Sequence, residues 1–130
     1  MTDTPVKLKI LVIENEPDVA ATIAMLLRRV GFEILVAQSG GEGIQIARRE
    51  KFDLITTDID LPDMNGFEIC AQLKKDFRFL RTPIVLISGR SSGENRRRAL
   101  ELGAADFISK PFDPFIFVSR ILTHIRPVKN

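Results

Sequence analysis

The chain has 130 residues, 45% of them apolar, and a formal net charge of +2. That suits one globular domain which buries roughly two-thirds of its unfolded surface without needing a staple. Cys70 is the only cysteine, which excludes an internal disulfide, and the small net charge by itself indicates neither nucleic-acid nor membrane binding.

No apolar run approaches the ~20 residues of a membrane span. Met1–Pro5 lacks the charged and apolar regions of a leader, so a cytoplasmic location is expected. One domain is expected over 1–130, with its core over about 7–126.

Lys7–Ile13 contains the apolar run Ile10-Leu11-Val12-Ile13, the pattern of a strand buried on both faces, and ends on Glu14-Asn15-Glu16. Pro17 suits the first turn of a helix. Val19, Ala20, Ile23, Ala24, Leu27 and Val30 follow helical spacing, and Gly31 is a natural stop. Phe32–Ala37 reads as the second strand. Ser39 and Glu42 match a capping box for a helix that runs to about Glu50 and buries Ile44 and Ala47. No Lys-Ser or Lys-Thr follows Gly40-Gly41, so these glycines are not a phosphate loop.

The third strand begins at Asp53 and stops on Asp58. Pro62 and Asn65-Gly66 are turn chemistry, leading into a helix from Gly66 to about Phe77 that buries Phe67, Cys70 and Leu73. Pro83–Ile87 is a fourth apolar strand, ending on Ser88. A fourth helix spans about Gly93 to Leu102 and stops at Gly103; its Arg96-Arg97-Arg98 reads as a solvated face. Ala105–Ser109 is a short fifth strand, followed by Lys110-Pro111. Asp113-Pro114 caps a last helix with Phe117, Val118, Ile121, Leu122 and Ile125 on one face. His124 reads as a lone helix-end histidine without partners.

Strands alternating with helices predict an α/β fold, a doubly wound five-stranded parallel sheet with right-handed crossovers. Glu14-Asn15-Glu16, Asp58, Ser88 and Lys110 then meet at one sheet edge, where such sheets place their ligands. Acids, a hydroxyl and an ammonium suit a divalent cation and a phosphoryl group, and oxygen ligands suit Mg²⁺.

Four motifs carry a resemblance in this order and spacing. They are Ile10–Pro17, Asp58 with Leu61-Pro62 and Gly66, Pro83–Ser88, and Lys110-Pro111-Phe112. Over about Lys9 to Ile125 the chain resembles the receiver domain of two-component response regulators and is similar to the single-domain chemotaxis regulators. The resemblance implies a flavodoxin-like sheet of strand order 2-1-3-4-5. It implies that Asp58 is a phosphoacceptor, served by a sensor histidine kinase or a histidine phosphotransfer protein. Ser88 would be the switch hydroxyl, Phe107 a rotating aromatic and Lys110 the partner of the phosphoryl group. Glu14, Asn15, Asp58 and the backbone carbonyl of Asp60 correspond to the metal positions, and Lys110-Pro111 to a cis peptide.

The resemblance implies a signalling switch rather than an enzyme, one that takes the phosphoryl group on itself and could catalyse its own dephosphorylation. Output to a downstream protein target would pass through the fourth helix, fifth strand and fifth helix, where the three arginines could meet an acidic partner. No direct nucleic-acid or membrane contact is implied. By the resemblance, Asp60 and Arg90 hold the positions that flank the path of the hydrolytic water, and their opposite charges predict an ion pair across the mouth of the site.

Asn15 departs from the family, which usually has an Asp there. It keeps an oxygen but loses the charge, so weaker metal affinity is expected unless Glu16 reaches in. Asn15 also supports the alternative of a phosphorylation-independent pseudo-receiver that only binds proteins. Retained Asp58, Ser88 and Lys110 argue against that. A flavodoxin-like cofactor carrier is disfavoured by the absence of Trp and Tyr. The chain ends soon after the last helix, so it is expected to be either a single-domain regulator or a piece of a larger one.

Overall fold

A computed structural model of the chain describes residues 7–90 and 92–125. The expected core limit at residue 126 and the reading of Met1–Pro5 lie outside the described residues. Element order is β1 (Lys9–Ile13), α1 (Pro17–Arg29), β2 (Glu33–Ala37), α2 (Gly40–Arg49), β3 (Leu54–Asp58), α3 (Gly66–Lys74), a 3₁₀ turn (Phe77–Phe79), β4 (Ile84–Ser88), α4 (Gly93–Glu101), β5 (Asp106–Ser109) and α5 (Pro114–His124). All strand pairings within the sheet are parallel, and its order is β2-β1-β3-β4-β5. The α/β architecture and strand order are those expected from the sequence.

The apolar runs supply residues to both faces of the sheet. On one face Ile10, Val12, Leu54 and Val85 pack with Ile23 and Leu27 of α1 and Phe117 and Ile121 of α5. On the other, Leu11, Ile55, Ile84 and Leu86 pack with Ile44 of α2, Ile69 and Leu73 of α3 and Ala99 of α4. Each fully buried aliphatic side chain of this kind contributes roughly 1.5–3 kcal/mol. Gly31 and Gly103 end α1 and α4 with φ of 105° and 93°, a conformation that favours glycine. The α3 helix stops at Lys74 rather than near Phe77. Asp76 starts a separate turn there by accepting from Arg78 N at 3.0 Å.

Capping shows a second difference. Ser39 Oγ accepts from Glu42 N at 3.2 Å, but the Glu42 carboxylate accepts from Gln38 N, at 2.7 Å, not from the cap residue. The first amides of α2 are instead met from across the structure. Gly40 N and Gly41 N donate to the two oxygens of Asp63, at 2.9 and 2.8 Å. These bonds hold the Asp63 carboxyl below its ordinary range, Gly41 first and then Gly40. Asp63 belongs to the loop after β3, so this cap ties that loop to α2.

Asp63→Ala should cost about 0.5–1 kcal/mol in urea unfolding near neutral pH, the lower part of the range for a cap because the carboxylate is exposed. A lowered folded-state pKa gives stability that is fully present above the unfolded value and lost as pH falls through the folded one. Part of the difference between Asp63→Ala and the parent should therefore fade under acid. A gap that widens on acidification would contradict the assignment.

Candidate functional site

Strand register builds the site. Ile13 pairs with Thr57 across β1 and β3, so Glu14 emerges beside Asp58. Asp58 pairs with Ile87, so Ser88 follows one residue on. Ser88 pairs with Ser109, and Lys110 leaves β5 next, its amide donating to Ser88 O at 2.7 Å. Three strands thus deliver an acid, an acid and a hydroxyl to one edge, and a fourth delivers the cation. The Lys110–Pro111 peptide is cis.

Glu14 and Asp58 are 1% and 3% exposed. Buried carboxylates need a counter-charge or donors. Lys110 Nζ supplies both, at 2.9 Å from Asp58 Oδ2 and 3.4 Å from Glu14 Oε1. The backbone adds Asp60 N to Asp58 Oδ1 at 3.2 Å and Glu16 N to Glu14 Oε2 at 3.1 Å. Burial pushes the Glu14 carboxyl up, and nearby Asp58 adds to the rise, against the Glu16 amide and Lys110. Burial also acts on Lys110, to lower it, but the Asp58 hydrogen bond and the charges of Asp58, Glu14 and Glu16 outweigh that and raise it. The ammonium is therefore held charged.

Carboxylate oxygens of Glu14, Glu16 and Asp58 lie within 4.8 Å of one another. Three hard oxygen donors crowded this closely fit a divalent cation such as Mg²⁺. The acid that joins Glu14 and Asp58 is Glu16; half-buried Asn15, with a neutral oxygen, stands between Glu14 and Glu16 in the chain. Lys110 and Glu16 also line an open cleft of about 490 Å³, with Val19 and Phe112 as apolar walls.

The mouth of the site carries the expected ion pair: the Arg90 guanidinium bonds Asp60 Oδ1, and both side chains are exposed. The pairing with Asp60 raises the Arg90 pKa further above its ordinary value. Ser88 Oγ is turned toward its own loop, accepting from Arg90 N at 2.9 Å and lying 3.2 Å from Arg90 O. Asn95 Nδ2 of α4 donates to the same Arg90 carbonyl, at 3.1 Å. One carbonyl therefore links the Ser88 hydroxyl to α4.

Phe107, which the resemblance makes a rotating aromatic, has its ring in the core here, 2% exposed. The Arg96 guanidinium lies 5.3 Å from its centroid and bonds Phe107 O at 3.3 Å. Arg98 lies 4.4 Å from the Phe67 ring. The arginines are exposed, but two of the three are α4's attachments to aromatic rings rather than a merely solvated face. His124 is not alone either: its Nε2 is 3.1 Å from Asp106 Oδ2, in a cluster with Arg120. Asp106 begins β5, so this cluster lies away from Asp58 at the other end of the strand.

Gly66, a turn and helix-entry signal and part of a family motif in the sequence, also sets the floor of the site. A Cβ there would lie 2.5 Å from Asp58 O and 2.8 Å from Ile59 Cα. Only glycine lets α3 start this close to the backbone of Asp58.

The family model of the response regulator receiver domain matches residues 10–122. The cell cycle response regulator CtrA of Brucella ovis is 32% identical over 123 residues, which cover 95% of this chain and 52% of that protein. The chain thus spans about half the length of the curated relatives it matches. Among solved structures, the non-phosphorylated HemR receiver domain of Leptospira biflexa superposes with a TM-score of 0.85 at 29% identity, covering 95% of this chain and 98% of that one. A CheY-like receiver domain protein from Methanospirillum hungatei gives 0.84 at 29% identity, covering 91% and 93%. The chemotaxis response regulator CheY4 of Vibrio cholerae gives 0.87 at 24% identity, covering 92% and 100%, a likeness of fold. With the family model matching most of its length, the chain belongs to the response regulator receiver domains of two-component signalling.

Proposed function

We propose that the domain is a phosphorylation-driven switch in which Asp58 takes a phosphoryl group from the phosphohistidine of a sensor kinase or phosphotransfer protein. The observation that carries this reading is Lys110 held charged between buried Asp58 and Glu14. An oxygen of the Asp58 carboxylate attacks phosphorus as the bond from phosphorus to the imidazole nitrogen breaks, giving an aspartyl phosphate and releasing the histidine. Lys110 faces the charge on the transferring group, and its Asp58 contact places it where that group arrives. Glu14, Glu16 and Asp58 would hold Mg²⁺, with Asn15 and the Asp60 carbonyl as neutral oxygens. The ion's part is to neutralise phosphoryl charge. The cleft beside Lys110, with Val19 and Phe112 on its walls, offers the donor protein a place to dock.

A phosphoryl group on Asp58 gives the Ser88 hydroxyl a charged acceptor that competes with the Arg90 carbonyl. Losing that bond frees a carbonyl which Asn95 of α4 also uses. The signal would leave through α4, β5 and α5 toward a protein target, because phosphorylated and unphosphorylated forms differ in this linkage.

With Mg²⁺ and acetyl phosphate, intact-mass measurement should show one added phosphoryl group on the parent and none on Asp58→Asn. An unmodified parent would favour the pseudo-receiver reading that Asn15 supports.

Mg²⁺ titration should separate the two candidate ligands. Glu16→Gln should weaken binding by roughly tenfold or more, whereas Asn15→Asp should strengthen it by a similar factor. Equal affinity in Glu16→Gln and the parent would remove Glu16 from the site.

The Asp60–Arg90 pair should act as a loose lid over the aspartyl phosphate. Exposed pairs are weak, so opening it in Arg90→Ala or Asp60→Ala should change the phosphate half-life less than about fivefold. The two changes should not be additive in the logarithm of the rate, since either one alone breaks the pair. Additivity in the double variant would reject the lid.

A further inference from the structure

The amino-terminal edge of the sheet, opposite Asp58, carries a surface with features that signalling through Asp58 does not use. Phe77 and Leu80 on the turn after α3 are 84% and 69% exposed. Two open clefts of about 420 and 410 Å³ meet beside them and share Lys51, Phe52, Arg78 and Thr82.

The turn is pinned in this orientation. Lys74 Nζ donates to Phe79 O at 2.9 Å and to Thr82 O at 2.7 Å. Asp76 pairs with the Arg78 guanidinium at 2.7 Å. These bonds fix the backbone beneath two apolar side chains that stand out into water.

Most of the charge around them is positive. Arg48 and Arg49 border the first cleft, Arg81 the second, and Lys51 both. Among the described residues none of these four has an acidic partner within ion-pair distance. The acids nearby are already engaged: Glu50 with Lys9 Nζ at 2.7 Å, Asp53 with Lys9 N at 2.8 Å, and Asp76 with Arg78. The α2 dipole accounts for Arg48 and Arg49 at its carboxyl end. It does not account for Lys51 and Arg81 beside exposed Phe77 and Leu80.

We propose that this edge is a docking surface for an acidic protein segment carrying an aromatic or aliphatic anchor. Carboxylates of the segment meet Arg48, Lys51 and Arg81, and the anchor enters a cleft against Phe77 or Leu80. A twofold contact between two copies would bring like charges together. A flat bilayer would touch the protruding Phe77 but leave the clefts unfilled. An acidic peptide satisfies both the charge and the concavity.

The test is a titration of the isotope-labelled full chain with a synthetic peptide of glutamates flanking a Phe-Leu pair, followed by amide shifts. A peptide with lysines for the glutamates is the control. Shifts should concentrate in 48–53 and 77–82, fall away with added salt, and be absent with the lysine peptide. Affinity should drop at least about tenfold in Phe77→Ser/Leu80→Ser and in Lys51→Glu/Arg81→Glu. Both variants should keep the parent's denaturant midpoint, because the changed side chains are exposed. Asp58→Asn should bind as the parent does, which separates this result from the phosphoacceptor reading. The proposal is overturned by no shifts up to millimolar peptide, by equal binding of the lysine peptide, or by unchanged affinity in both double variants. Binding to phosphatidylserine vesicles without peptide binding would assign the edge to a membrane instead. Self-association lost in Phe77→Ser/Leu80→Ser, again without peptide binding, would assign it to a second copy.

Discussion

The structure hinges on a charge problem and its solution. Parallel register brings Glu14 and Asp58 together at the ends of adjacent central strands, where both are buried. Two carboxylates so placed repel each other and lose most of their hydration. Lys110 answers both, and it can do so only because β5 lies next to β4, ends in register with Ser88 and delivers its next residue over the same edge. Such a cluster is weak evidence for stability, since desolvation offsets much of the attraction. Its value is chemical. A carboxylate kept beside a fixed ammonium already faces the charge that a phosphoryl group brings.

Much of this was legible in the chain. Apolar runs ending on polar residues located the strands, and parallel strands put those ends on one edge. Gly31, Gly103, Asn65 and Asp113 marked helix boundaries through local chemistry, with Asn65 Oδ1 accepting from Phe67 N at 2.7 Å and Asp113 Oδ1 from Phe115 N at 2.8 Å. What local pattern could not show were contacts made across long loops. The Asp63 cap of α2 spans more than twenty positions, and the pairing of His124 with Asp106 depends on where α5 lies against β5. Arg96 and Arg98 read as solvated because their charge hides the stems and planar heads that cover aromatic rings. Glu16 was ambiguous for another reason: an acid at a helix start suits the dipole whether or not it also faces a cation.

The two ends of the sheet have acquired opposite characters. The carboxyl-terminal edge gathers Glu14, Glu16 and Asp58 around one lysine, with the Asp60–Arg90 pair at its mouth. The other edge leaves Arg48, Arg49, Lys51 and Arg81 without acidic partners among the described residues. The net charge of +2 conceals this separation. A molecule polarised along its strands presents different long-range fields to partners arriving from either end, and salt shortens the reach of both.

The attachment of α4 has a consequence for how the domain breathes. Its nine residues bury one side chain fully, Ala99, and otherwise hold to the body through two arginines lying on aromatic rings and Asn95 on a loop carbonyl. Apolar burial sets most of the free energy needed to detach a segment. Against the wholly buried β3 and β4, α4 is therefore the region whose amides should exchange with solvent through partial opening, without the sheet coming apart. Under the proposed switch, a segment that detaches cheaply is also one whose position a single new hydrogen bond at Ser88 would bias.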